Sequence, residues 1–149
     1  MKAITTMITA ALNERSSAEK REIFPRFFKT GKGEYGEGDK FMGVTVPNVR
    51  AVAKLHKDIT HDEIKTLLTS EWHEGRLCAL LIMVEKCRKA DDNERQKLFN
   101  LYLSQTRHIN NWDLVDLSAW RIVGVYLLDK SREILYKLAQ SSLLWDNRI

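Results

Sequence analysis

The centre of the chain reads Leu77-Cys78-Ala79-Leu80-Leu81-Ile82-Met83-Val84, a run that is apolar at every position. An amphipathic helix leaves one face to water, whereas a helix that is apolar all round is buried between neighbours on several sides. The run is too short to span a bilayer, which takes about 20 apolar residues. We therefore predict a core helix from about Glu74 to Lys89, with the other helices packed around it.

Shorter amphipathic segments flank this core helix, with apolar residues three and four positions apart. Helices are predicted over about residues 2–13, from a cap at Ser16 through Phe28, from Pro47 to about His56, from Thr60 to about Ser70, from Asp91 or Asp92 through Leu103, from Asn110 or Asn111 to about Leu127, and from Ser131 onward. Ser16 with Glu19 and Thr60 with Glu63 have capping-box spacing, and Pro25 is expected to kink the second helix or delay its start. No segment alternates like a half-buried strand, so the predicted fold class is all-α.

Five of the seven glycines lie between Gly31 and Gly43. This density predicts an irregular, flexible connection between two helices. The segment lacks the Gly-Lys-Ser or Gly-Lys-Thr of a phosphate-binding loop, and no strand is predicted before it. We therefore exclude that kind of nucleotide site.

A tryptophan followed by an acidic residue recurs at the predicted start of three helices. The three copies are Trp72-His73-Glu74, Trp112-Asp113 and Trp145-Asp146, and their tryptophans are 40 and 33 residues apart. This interval is typical of one HEAT-like helix pair, which cannot bury its apolar face alone and stacks on the next pair. The predicted architecture is a HEAT-like-repeat superhelix of antiparallel helix pairs, forming one domain over residues 1–149.

The chain stops at the beginning of a helix in this register. A solenoid normally finishes with a polar capping repeat, so we expect the last repeats of this architecture to be missing. Leu143, Leu144 and Trp145 would then form an exposed apolar patch, through which self-association is expected.

Composition excludes several function classes. The net charge of +4 and the pI of about 9.1 are compatible with a polyanionic partner but do not establish one. Cys78 and Cys87 lie on one rigid helix and cannot bridge, so we interpret them as reduced thiols of a cytoplasmic protein. The histidines are scattered, and we expect no metal site, no cofactor and no membrane segment.

The densest group of polar and aromatic side chains follows Ile109. On a helix, Val115, Ala119, Ile122 and Tyr126 would form the buried stripe, with Trp112 and Asp116 side by side on its flank. Asp113 falls in the first turn, where an acid stabilises the helix start by under about 1 kcal/mol. Capping cannot explain Asp116, which leaves a catalytic role and an ion pair with a neighbouring helix equally open.

A functional and a structural interpretation are both open for Trp112, Arg76 and Arg148, and Trp120 adds a further aromatic ring to the flank. Trp112 either packs in the core or contacts a ligand, and Trp120 falls on the same side of the helix as Asp116. Arg76 and Arg148 follow the first and third repeat tryptophans. Each could bind a phosphate of DNA, or the carboxylate of a preceding helix.

Three ordered segments carry a resemblance to a known family. They read GEGDKFMGVTVP (36–47), WHEGRLCAL (72–80) and INNWDLVD (109–116). Through these segments, the chain resembles the AlkD-type DNA alkylation repair family, and the similarity spans most of the chain, from about Phe24 to Arg148. The third segment is the most specific of the three.

The resemblance implies a HEAT-like-repeat DNA glycosylase that excises cationic purines alkylated at N3 or N7 from double-stranded DNA, without flipping the base into a pocket. Trp112 would match the active-site tryptophan of that family, Asp116 its catalytic aspartate and Arg148 its cleft arginine. Asp116 would stabilise the oxocarbenium-like sugar, and Trp112 would contact the cationic nucleotide. A further family tryptophan, from a later repeat, has no counterpart here. The alternative is a truncated, non-catalytic HEAT-repeat module that binds DNA or a protein.

Overall fold

The computed structural model describes residues 2–149, where the regular structure is helical and one isolated bridge pairs Lys40 with Trp72. The helices are α1 (Lys2–Asn13), α2 (Ala18–Phe27), α3 (Val46–Leu55), α4 (His61–Leu68), α5 (His73–Lys89), α6 (Asp92–Ser104), α7 (Trp112–Asp116), α8 (Glu133–Ala139) and α9 (Leu144–Arg148). A 3₁₀ turn (Thr106–His108) precedes α7, and a π-helical turn (Trp120–Gly124) follows it. The predicted all-α, HEAT-like fold is confirmed.

Helix α5 is the core helix that the apolar run predicts. Every side chain from Leu77 to Val84 is buried. Helices α1, α3, α4 and α6 pack against α5, so this run has neighbours on several sides and no face left to solvent. Within residues 2–149, no helix is both long and apolar enough to cross a membrane.

The helix caps agree with the sequence in one place and differ in another. At α4, Thr60 and Glu63 form the predicted capping box, with each side chain accepting the other's backbone N–H. At α2 the cap is Ser17, whose Oγ accepts the Lys20 N–H, rather than Ser16. Ser16 instead donates its hydroxyl to the Asn13 carbonyl, which ties it to the end of α1. Helix α2 continues through Pro25 and ends at Phe27.

The glycine-rich segment is irregular, as predicted, but it is anchored to the fold rather than free. The carboxylate of Glu74 accepts the backbone N–H groups of Met42, Gly43 and Val44 at 2.8–3.0 Å. Gly43 has φ = +87°, and a Cβ there would lie 2.5 Å from the backbone nitrogen of Arg21. Only glycine fits this close approach to α2.

The predicted helix from Asn110 or Asn111 to Leu127 is not continuous. After α7, the hydroxyl of Ser118 donates back to the Leu114 carbonyl, a contact that bends helices. The Val125 N–H then bonds to the Trp120 carbonyl five residues earlier, as in a π-helix. Helix α8 likewise begins at Glu133 instead of following Ser131 directly, with Arg132 at its cap position.

The three repeated tryptophans lie at helix starts, as the sequence indicates. Trp72 precedes α5, Trp112 opens α7 and Trp145 is in the first turn of α9. The acids that follow them, Glu74, Asp113 and Asp146, are all buried. Each of them accepts a hydrogen bond from another group of the fold.

Candidate active site

An aromatic cavity of about 360 Å³ opens beside the start of α7. Its lining brings together side chains of α2, the glycine-rich segment, α3, α5 and α7. They are Phe24, Phe27, Phe28, Phe41, Val46, His73, Glu74, Trp112, Asp113, Asp116 and Leu117. We call it the aromatic cavity. Trp112 and Asp116 share it, in agreement with their expected positions on one flank of the helix.

Trp112 is held in place by Phe27, the last residue of α2, and by Phe28, which follows it. The ring of Phe28 stacks on the indole with centroids 5.4 Å apart and an interplanar angle of 22°. Phe27 meets the same indole edge-on at 6.1 Å. Phe28 is buried whereas Phe27 is exposed, so one ring supports the tryptophan from inside and the other extends its surface toward solvent.

Asp116 forms a two-pronged ion pair with Arg148 of α9. The Nε and Nη2 atoms of Arg148 each donate to a different carboxylate oxygen at 2.7 Å. Both side chains remain nearly half exposed, at 41% for Asp116 and 48% for Arg148. Hydrogen bonding from Arg148 lowers the pKa of Asp116 below its ordinary value. The carboxylate is therefore ionised at neutral pH and accessible from the cavity rim.

A second cavity, of about 330 Å³, lies on the other side of Asp116. Trp120 and Arg148 line it together with Asp116. The Trp120 indole is 56% exposed, and the guanidinium of Arg121 lies 4.0 Å from its ring centroid. The structure thus brings Asp116, Trp112, Trp120 and Arg148 to one region of the surface.

A buried charge network lies beneath the aromatic cavity. The imidazole of His73 bonds through Nδ1 to Asp39 at 2.6 Å and through Nε2 to Asp113 at 2.7 Å. Arg76 donates to the other oxygen of Asp39 at 2.6 Å, and Asn111 also reaches Asp39, at 3.3 Å. Two cations thus neutralise two carboxylates, as burial of charge requires.

Electrostatics keep this network ionised. Burial by itself would lower the pKa of His73, but the hydrogen bonds to Asp113 and Asp39 outweigh it and raise the pKa to about 9. Burial likewise opposes ionisation of Asp39, yet its contacts with His73 and Arg76 leave the pKa of Asp39 below its ordinary value. At neutral pH His73 is an imidazolium held between two carboxylates.

The structure places Arg76 in this network and not at the cavity. Its side chain is 7% exposed, and besides Asp39 it donates to the Ser70 carbonyl at 3.0 Å. This arrangement argues against the prediction that Arg76 contacts DNA phosphates. It matches the alternative interpretation of a carboxylate partner, although that carboxylate comes from the glycine-rich segment instead of a preceding helix.

Asp113 also differs from its sequence interpretation. Its side chain is 7% exposed and bonds to His73, while its other oxygen accepts the Leu114 N–H. Removal of a partner from a buried charged pair costs about 3–5 kcal/mol, well above the contribution of a helix-start acid. Asp113 remains a structural residue, but one that joins α5 to α7.

Sequence reasoning missed Phe41 and Asp39 because the glycine-rich segment brings Phe41 to the cavity, and Asp39 to the network beneath it, from far along the chain. Phe41 stacks on His73 with centroids 4.4 Å apart and on Phe28 at 4.8 Å. For the contact between His73 and Asp113, the sequence did contain one signal. Trp72-His73 and Trp112-Asp113 are equivalent pairs in the repeat. That equivalence places His73 and Asp113 at matching positions.

The part of the chain that the structure describes contains neither a metal site nor a reactive thiol. Among residues 2–149, no group of three or more histidines, cysteines or acids is placed to hold a metal ion. Cys78 and Cys87 are buried and unpaired. Burial raises the pKa of the Cys78 thiol to about 12 and that of Cys87 to about 11, so neither is an activated nucleophile.

Comparison with family models gives a match over most of the chain. The model of the family described as DNA alkylation repair enzyme matches residues 8–149, nearly the whole chain. No curated protein and no solved structure matches the chain significantly. The match includes every residue of the aromatic cavity and both partners of the Asp116–Arg148 pair.

Proposed function

This chain belongs to the DNA alkylation repair enzyme family, and on that premise we propose that it is a DNA glycosylase of the AlkD type. The proposed substrate is double-stranded DNA carrying a cationic purine alkylated at N3 or N7. The proposed reaction is hydrolysis of the bond between that purine and its deoxyribose. We also propose that residues 1–149 act as one HEAT-like-repeat domain.

The observation that carries this proposal is the position of the Asp116 carboxylate. It is ionised, half exposed and at the rim of a cavity whose walls are aromatic. A carboxylate at this position suits a reaction in which positive charge develops on a sugar, because its negative charge attracts that developing charge.

The reaction needs no strong acid catalyst, because the leaving purine is already cationic. When the bond from C1′ to the purine nitrogen breaks, its electron pair stays with the purine and cancels the positive charge of the alkylated base. The deoxyribose becomes oxocarbenium-like and is stabilised by Asp116. A water oxygen then bonds to C1′ and loses a proton to solvent, which leaves an abasic site and a neutral alkylpurine.

Trp112 would select the damaged nucleotide. Its indole can present a π face to a cation, a contact worth roughly 0.5–2 kcal/mol. Because Phe28 fixes the ring from behind, the tryptophan would lose little conformational entropy on binding. An undamaged purine is neutral and gains no such attraction.

Arg148 would exchange partners during the cycle. Both oxygens of Asp116 are occupied by its guanidinium, so at least one must be released before the carboxylate can face a sugar. A DNA phosphate is a suitable replacement partner, since guanidinium binds phosphate and carboxylate with the same two-pronged geometry. In this proposal DNA binding itself frees Asp116.

The deciding experiment measures release of 7-methylguanine from methylated duplex DNA. The wild-type chain should release the base, and Asp116→Asn should be slower by about 10²–10³-fold, as for loss of one electrostatic stabiliser. Asp129→Asn is the matched control, since Asp129 is also an exposed aspartate paired with a cation, Lys130. Equal rates for the wild type and Asp116→Asn would contradict the role of Asp116, and no release by any variant would contradict the enzymatic function.

One observation favours a second candidate, a non-catalytic module that binds DNA or a protein. The Asp116–Arg148 pair resembles a structural ion pair between helices as closely as it resembles a resting active site. A chain of this kind would show no base release. Salt-dependent binding to duplex DNA would then distinguish a DNA-binding module from one that binds protein alone.

A further inference from the structure

Three arginines from three different elements converge on one cavity next to the candidate active site. Arg50 comes from α3, Arg88 from α5 and Arg121 from the π-helical turn, and together they line a cavity of about 320 Å³. Trp120 and Leu117 form part of the same wall. Because the three are far apart in sequence, their convergence is a product of the fold. We call this cavity the arginine cleft.

The positive charge of the arginine cleft is only partly neutralised. Among residues 2–149, Arg50 and Arg121 form no ion pair, and Arg121 rests on the Trp120 ring. The one acid in the lining, Glu85, lies 3.8 Å from Arg88, which is too long for a hydrogen bond. The cleft therefore presents three guanidinium groups against one carboxylate, with most of their N–H donors unused.

Three neighbouring cavities share lining residues with the arginine cleft. Toward the candidate active site, Leu117 also lines the aromatic cavity and Trp120 also lines the cavity of Asp116 and Arg148. Away from it, Arg88 and Glu85 also line a cavity of about 460 Å³ that contains Lys57, Lys86 and Lys89. The cleft thus lies between the reactive carboxylate and a lysine-rich surface.

We propose that the arginine cleft binds one phosphodiester group of the DNA strand beside the nucleotide held at Asp116. Guanidinium groups provide paired N–H donors that match phosphate oxygens. This inference rests on the proposed function for the identity of the anion. The cleft would fix the register of the strand so that the damaged nucleotide lies over Asp116.

The first test compares two triple variants that remove the same charge. Arg50→Gln, Arg88→Gln and Arg121→Gln together should weaken binding to an undamaged duplex by about tenfold or more, as for lost charged hydrogen bonds. They should also reduce the slope of log K against log salt by about 0.9, the value for one phosphate contact. The control combines Arg26→Gln, Lys65→Gln and Arg132→Gln, none of which lines a cavity described above. Equal losses for both triple variants would overturn the proposal, because they would reflect net charge alone.

A second measurement separates this proposal from the proposed function. The Nε–H resonances of the three arginines in ¹⁵N-labelled protein are followed during titration with inorganic phosphate, and then with the duplex. Shifts in both titrations support a phosphate site even if no base is released. Shifts with inorganic phosphate alone identify an anion site that DNA does not use and overturn the phosphodiester assignment. No shift in either titration overturns the site, while base release by the wild type would leave the glycosylase proposal intact.

Discussion

The Nε2 atom of His73 lies 2.7 Å from Oδ2 of Asp113, and the two residues are 40 positions apart in the chain. Each directly follows a repeat tryptophan, so equivalent positions of successive repeats are joined by a buried hydrogen bond. Through this bond the start of α5 fixes the start of α7, where Trp112 stands. The charge network below the aromatic cavity is therefore also the joint between two repeats.

This joint predicts a pH-dependent stability at alkaline pH. The pKa of His73 is about 9 in the folded chain against about 6.5 when unfolded. The imidazolium therefore contributes fully below pH 6.5, by on the order of 3 kcal/mol, and the contribution is lost as pH rises from 6.5 through 9. Urea unfolding of the wild type between pH 6 and 9.5 should show this decline.

His73→Asn should flatten the decline in stability between pH 6.5 and 9, because asparagine has no proton to lose in that range. His56→Asn is the control, since His56 lies at the partly exposed end of α3. An unchanged pH dependence in His73→Asn would refute the assignment of the decline to His73.

Loss of the Asp113 carboxylate, a partner of His73, should lower the free energy of unfolding at neutral pH. Asp113→Ala leaves the buried imidazolium of His73 with Asp39 alone, and we expect a loss of about 3–5 kcal/mol in the free energy of unfolding. The same change at exposed Asp129 should have almost no effect. Urea denaturation of the two variants makes the comparison, and a loss below about 1 kcal/mol for Asp113→Ala would restore the sequence interpretation of a simple helix-start acid.

Substitution of Phe28 should affect stability, whereas substitution of Phe27, the other ring neighbour of Trp112, should affect DNA binding. Phe28 is buried and stacks on the indole, so Phe28→Ala should cost about 3–5 kcal/mol and alter the near-UV circular dichroism of the tryptophans. Phe27 is 59% exposed, so Phe27→Ala should leave stability nearly unchanged. It should instead weaken binding of methylated duplex, measured by fluorescence anisotropy. Equal stability of the two variants would contradict the stacking role of Phe28.

The sequence predicted correctly those features that depend on one helix alone. The continuous apolar run identified α5 as the core, and helical periodicity placed Trp112 beside Asp116, because both inferences need only local geometry. The sequence also suggested, as one of two alternatives for Asp116, the ion pair that Arg148 provides. These successes required no knowledge of how distant segments meet.

What the sequence could not predict depends on distant segments. Phe41 reaches the cavity and Asp39 the charge network beneath it because Glu74 and His73 anchor the glycine-rich segment, and no pattern within that segment encodes the path. The break after α7 was missed for a related reason. It needs Ser118, whose hydroxyl also meets buried Tyr102 at 2.9 Å, so a contact between helices determines a local bend.

Self-association through the end of the chain stays a prediction that the structure makes specific. Leu143 and Leu144 are 47% and 58% exposed, whereas Trp145 is partly buried and meets Tyr35 edge-on. The two leucines, not the tryptophan, would form the contact. Sedimentation velocity at rising concentration should show a dimer that Leu144→Glu disrupts. The control is Leu55→Glu, at another exposed leucine, and a monomeric wild type at every concentration would refute the prediction.

The Asp116–Arg148 pair predicts the acid side of the pH profile. Because hydrogen bonding from Arg148 holds the pKa of Asp116 low, base release should persist down to acidic pH and fall only when the carboxylate is protonated. Arg148→Gln removes the cation, so the pKa of Asp116 should rise and the acid limb of kcat/KM should move to higher pH. A carboxyl ¹³C titration of Asp116 reports the same shift without activity. Arg132→Gln is the control, because that guanidinium donates to the Leu128 carbonyl and has no acidic partner within residues 2–149. An acid limb that stays in place in Arg148→Gln, with the carboxyl pKa shifted, would show that a group other than Asp116 limits the reaction.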